Sequence, residues 1–186
     1  VAMLSFSSCK ETFTELNPLA SLSETTAFTT PATIELAMNG VYWSAAVGQY
    51  NGAAGRGYPF GAAALEQAEM RGEDMINTQQ FFAVTYRSEH STTSANNVNH
   101  WEQLYALINQ ANVFINGVRT AGSSGVLTQA EAEAYEGEAR ILRALSHHEL
   151  LIHFCLPFAD GNGSKPGVPF RENAINSSAA VAEGLA

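Results

Sequence analysis

The residues best equipped for chemistry lie in the run His147-His148-Glu149-Leu150-Leu151-Ile152-His153. A zinc-peptidase helix sets its two histidines four apart, so both imidazoles share a face and the intervening glutamate acts as base. Here His148 and His153 are five apart, about 140° round a helix that turns about 100° per residue, and they cannot hold one ion. His147 and His148 are adjacent and diverge in the same way. They read as surface or core-edge histidines, and no metal or other cofactor is expected. The stretch Gly48–Gly61, GQYNGAAGRGYPFG, invites a phosphate cradle. A P-loop needs G-x-x-x-x-G-K-[ST], and no such Gly-Lys-Ser/Thr run occurs. Gly55, Gly57 and Gly61 also miss the dinucleotide spacing, with no hydrophobic strand before them. There is no G-x-S-x-G elbow and no suggestive Cys/His pair. Glu131, Glu133, Glu136 and Glu138 read as a solvated helix face. No catalytic residue is assigned, and a glycan-processing enzyme has nothing in its favour.

The aromatic residues point elsewhere. Tyr42, Trp43, Trp101 and Tyr105 fall on helix faces and read as packing residues. Tyr50, Tyr58, Phe60 and Tyr86 lie in or beside loops with Arg56, Arg71, Asp74, Arg87 and several asparagines. Aromatic faces for stacking, with Asn, Asp and Arg for hydroxyl groups, are what a sugar site uses. The polar run SEHSTTSANNVN is about a dozen residues long, a length that in a compact domain is often functional. Loop position singles out Asp74, Tyr86, Arg87 and Asn96 as candidate ligand-binding residues.

These loops need a scaffold, and the strongest element is Thr128 to Phe158. Thr128 with Glu131 forms a capping box, and Leu156-Pro157 ends the helix. Tyr135, Ala139, Leu142 and Leu145 recur at helical spacing, with Ile141, Ile152 and Phe154 widening the stripe. At about 1.5 Å per residue such a helix spans about 40 Å and must have partners. One partner runs from His100 to Val118, opened by Asn99 and Glu102, with Trp101, Leu104, Tyr105, Ile108, Ala111 and Ile115 on one face. The two should form an antiparallel hairpin. Another runs from Pro31 to Val47 behind the Thr30 cap, where Gly40 suggests a close helix contact. Ala62 to Met70 predicts a short helix, and Phe81 to Tyr86 a helical turn or short strand. Trp101, Tyr105, Asn112, Glu138, Arg140 and Arg143 read as scaffold, and any buried Asn or Arg among them needs hydrogen-bond partners.

The chain of 186 residues has room for one domain with a real core, and 46% apolar content argues against wholesale disorder. Nine Lys and Arg against a net charge of −9 leave no basic stripe for a phosphate backbone, so nucleic acid is excluded as a partner. Cys9 and Cys155 make no disulfide framework, and Cys155 reads as a buried apolar thiol. Cys9 follows VAMLSFSS, which fits the tail of a signal-peptide hydrophobic region. Phe6-Ser7-Ser8-Cys9 resembles a bacterial lipobox, with Phe6 where Leu is usual; the other reading is a chance cysteine on a frayed terminus.

Four segments together resemble the N-terminal part of the SusD/RagB family of nutrient-binding lipoproteins. They are Cys9 after its signal-like tail, Leu22 to Trp43 with Asn39-Gly40-Val41-Tyr42, WEQLYALINQANVFINGV from Trp101 to Val118, and GEARILRALSHHELLIHF from Gly137 to Phe154. The Gly-Glu-Ala-Arg segment and the Trp/Tyr/Asn segment at this spacing are the specific ones. The resemblance implies an all-α fold of tetratricopeptide-like helical hairpins with long irregular loops. It divides the chain into a partial signal peptide at 1–8, a lipid-anchored tether at 9–29, and a C-terminally incomplete helical domain at 30–186. It further implies a non-catalytic surface protein of the outer membrane, lipid-attached at Cys9. Such a protein binds oligosaccharides, or in some members peptides, and passes them to a SusC-type TonB-dependent transporter. The rival expectation is a tetratricopeptide-like interaction scaffold with no small ligand.

Overall fold

The computed structural model describes residues 24–50, 53–72, 74–177 and 180–181. Cys9, the signal-like run and most of the expected tether lie outside them. In chain order the elements are α1 (Glu24–Ala27), α2 (Pro31–Ala46), β1 (Gln49–Tyr50), β2 (Ala53–Ala54), α3 (Ala62–Met70), α4 (Ala83–Tyr86), α5 (Ala95–Ser123) and α6 (Gln129–Phe154). The fold is helical. Its one described sheet is a two-residue antiparallel ribbon pairing Gln49 with Ala54 and Tyr50 with Ala53.

The helices begin where local chemistry dictates. Thr30 and Thr33 form a reciprocal cap before Pro31, and Thr128 and Glu131 do the same for α6. Each satisfies backbone N–H groups that the first turn leaves without partners. α5 begins earlier than its pattern predicts. Ser94, not Asn99, is the N-cap, so the ANNVN run counted as loop is the first turn of the helix. Asn96 holds it there by donating its amide to the Phe81 carbonyl at 3.2 Å.

α5 and α6 form the expected antiparallel hairpin, and side-chain pairs show its register. Arg119 pairs with Glu136 near the turn. Seven residues further along each helix Arg143 donates to Asn112, and eleven beyond that Trp101 meets Phe154. The α6 face that packs inward is made of small residues, Ala132, Ala139 and Ser146, before Leu150. Small side chains let the two axes approach closely. Large ones on α6 therefore lie outward: Ile141 is 68% exposed and Ile152 57%. The wide apolar stripe expected there, including Leu145, is thus corrected to a narrow seam.

The main core lies between α2 and the hairpin. Ile34, Met38, Val41 and Ala45 meet Leu107, Ala111, Phe114, Ile115 and Val118. Burying a side chain of the Ile or Phe size contributes about 1.5–3 kcal/mol. Gly40 faces open space and marks no close contact. The close approach is at Gly117, where a Cβ would enter the Phe28 ring. Tyr42 and Trp43 stay more than two-fifths exposed, and Tyr42 packs only at its tip, donating to Glu138 Oε2 at 2.8 Å.

The glycine-rich loop is structural too. Gly61 lies so close to the Ala46 carbonyl that a Cβ could not fit. The loop folds against the end of α2, and its Tyr58 is buried with Ala63, Met70 and Phe82.

Candidate functional site

Beyond α6 the chain turns back as an extended segment, residues 168–175, fastened across the hairpin by polar groups. Tyr105 Oη donates to the Pro169 carbonyl at 2.8 Å. Asn109 Nδ2 donates to the Ile175 carbonyl and its Oδ1 accepts from the Ile175 N–H. Asn112, buried, donates to the carbonyls of Arg171 and Asn173 and accepts from Arg143 Nη1 at 2.8 Å. His147 completes the row. Its Nδ1 faces the Arg143 carbonyl and its Nε2 faces the Arg171 N–H, so the proton is on Nδ1. Burial holds its pKa below the usual histidine value. The scaffold reading of Tyr105, Asn112 and Arg143 thus acquires its partners, and they are backbone groups of this strap.

The groove worth weighing as a site lies at the open end of the hairpin, where α5 begins and α6 ends. It is an 810 Å³ cleft lined by Trp101, Phe154, Asn97, Glu102, Cys155 and the loop residues His90 to Thr92. Trp101 and Phe154 meet edge to face with centroids 5.1 Å apart, and Tyr105 lies 5.0 Å beyond Trp101. Aromatic rings lining one cleft with an amide, a carboxylate and hydroxyls suit a ligand with apolar faces and hydroxyl edges. Cys155, expected to be buried, is a partly exposed free thiol on this rim.

Behind the cleft, and sharing His90, Asn97, His153 and Phe154 with it, is a 220 Å³ cavity that adds Gln67, Arg71 and His100. His153 links α3 to α6 here. A guanidinium can only donate, so His153 Nδ1 accepts from Arg71 at 3.2 Å and Nε2–H donates to Glu149 at 3.1 Å. The ring is neutral in that arrangement, and burial, then the nearby Arg71 charge, lowers its pKa. His100 stacks at 4.8 Å from His153 and 5.5 Å from Tyr58. Burial, with His153 and Arg71 alongside, lowers its pKa to about 4. Burial raises the Tyr58 phenol, which accepts from Gln67 Nε2. Among the described residues no group of His, Cys, Asp and Glu is arranged to hold a metal ion.

The four loop residues singled out from sequence fare differently. Asp74, Tyr86 and Arg87 are exposed, Arg87 paired with Glu89 at 2.8 Å. Asn96 is buried and spends its amide on the Phe81 carbonyl. None of the four lines the cleft or the cavity. Trp101 and Phe154, which do, read from sequence as helix-packing residues. Their only signal was aromatic character near the start of one helix and at the end of the other, in a hairpin whose register sequence does not supply.

Compared with known proteins, the chain matches one family model, SusD-like_3, described as "Starch-binding associating with outer membrane", over residues 24–182. No curated protein and no solved structure matches it.

Proposed function

Because the chain belongs to the SusD-like family, whose members are starch- or glycan-binding proteins associated with the outer membrane, we propose that it captures oligosaccharides in the cleft at the open end of the α5–α6 hairpin. The observation that carries this reading is the Trp101–Phe154 pair lining one cleft with Asn97 and Glu102. A pyranose presents a C–H face to an aromatic ring and hydroxyls to the polar rim, and each hydroxyl can donate or accept. Asp74, Tyr86 and Arg87 then serve as outlying contacts for a longer chain, and Asn96 positions the α5 N-terminus that carries Asn97 and Trp101.

The protein binds without transforming its ligand. It is tethered by a lipid on Cys9 at the outer-membrane surface and delivers its cargo to a SusC-type TonB-dependent transporter. Palmitate incorporation that disappears in Cys9→Ser supports the anchor; an unlabelled wild-type product removes it. Copurification of a large β-barrel partner supports delivery. Calorimetric titration against α-glucan, other neutral oligosaccharide and peptide panels tests the ligand class. Saturable binding of an oligosaccharide, weakened at least about tenfold in Trp101→Ala through loss of stacking, is expected. Binding of peptides alone would overturn the glycan reading.

A further inference from the structure

The cavity behind the cleft differs from it in chemistry. Arg87, Arg119, Arg140 and Arg143 each lie within ion-pair distance of a glutamate. Arg71 has no such carboxylate among the described residues, and its guanidinium bonds instead to the uncharged Nδ1 of His153. In a chain of net charge −9, Arg71 lines the cavity with no carboxylate of the described residues paired to it. A guanidinium has five N–H donors in a planar fork that matches a carboxylate bidentately.

His100 supplies a second, independent observation. The residue is 7% exposed, and its Nε2 has no hydrogen-bond partner among the described residues. Buried polar atoms are nearly always satisfied, so an orphan on a cavity wall points to a group that comes from outside. The field at His100 is positive, from the Arg71 guanidinium. Glu149 is engaged on the opposite nitrogen of His153. Tyr58, held by Gln67, and the exposed His90 are titratable neighbours too, and Glu66 lies near enough to act on the Tyr58 phenol. A negative charge seated beside Arg71 would balance this field.

We infer that the cavity seats the carboxylate of an acidic sugar residue, a uronate, at one end of the bound glycan, with Arg71 as its principal ligand. The inference rests on the glycan reading of the adjoining cleft. The cavity, 220 Å³ in volume, shares four lining residues with the cleft, which puts it within reach of the terminal ring of a glycan held there. The overall acidity of the chain does not oppose it, since exposed charges are screened beyond about 8 Å at physiological salt.

The test is calorimetric titration of the full chain with three oligosaccharides of equal length: an oligogalacturonide, its carboxyl-reduced neutral counterpart, and a sulfated neutral analogue. The uronide is expected to bind at least about tenfold more tightly than the reduced form, and Arg71→Gln to abolish that preference while changing neutral affinity less than about twofold. Arg71 caps α3 from an exposed position, so the variant should melt with the parent. Equal affinities for uronide and reduced form overturn the inference and leave the glycan reading intact. Preference for the sulfated analogue overturns it too, as does equal weakening of both sugars by Arg71→Gln. If no oligosaccharide of any kind binds, both readings fall.

Discussion

Asn112 shows how one residue can carry the architecture. It is 1% exposed and bridges α5, α6 and the strap through three hydrogen bonds. Replacing it with Leu keeps the volume but strands the Arg143 donor and two backbone carbonyls. Asn112→Leu should cost about 1–3 kcal/mol in urea denaturation, with faster amide exchange in residues 168–175. His100 governs acid sensitivity. Its pKa falls from 6.5 in the unfolded chain to about 4 when folded. Above about pH 6.5 the neutral ring carries no penalty; as pH falls towards 4 the unfolded chain takes up a proton that the folded one refuses. Stability should therefore decline between these values, by about 3 kcal/mol from His100 at the low end. His153 and His147, also lowered, act in the same direction. In His100→Leu the slope of the melting temperature against pH should flatten over this window. An unchanged slope would assign acid sensitivity to other groups.

At the scale of elements, the fold is a hairpin with α2 laid against it. Gly117 marks where α5 meets the start of the described chain, with Phe28 lying over it and edge to face against Phe114 at 5.7 Å. Gly117→Ala forces the ring aside and should cost about 1–3 kcal/mol by thermal melting, more than an exposed helix Gly→Ala, which stabilises. Much of this level was legible in sequence. Thr30-Pro31 and Thr128 with Glu131 announced two helix starts because caps are local chemistry, and α3 spans Ala62–Met70 as expected. The start of α5 was not legible. Asn97 and Asn99 are poor helix formers, and the packing of His100 and the Asn96–Phe81 bond override their local preference. Nor was the α6 seam, since periodicity cannot tell that Ala139 and Ser146 face the neighbour while Ile141 and Ile152 face out.

At the scale of the molecule, the site is assembled from distant sequence. Arg71 meets His153 across 82 residues, and Trp101 meets Phe154 only because the hairpin register brings them together. No local motif records such a meeting, which is why loop position selected Asp74, Tyr86, Arg87 and Asn96 while the aromatic wall passed as packing. Family membership, by contrast, was readable, because the Trp101–Val118 and Gly137–Phe154 segments carry the hairpin's own packing and strap-holding residues. The account's central claim is that the open end of this hairpin is a glycan-binding cleft. The most direct measurement is an amide chemical-shift titration of the isotope-labelled chain with a binding oligosaccharide. The account predicts that saturable shifts cluster at Asn97, Trp101, Glu102, Phe154 and Cys155, while the turn end around Arg119 and Glu136 stays still. Shifts concentrated at the turn end, or none with any sugar, would contradict it.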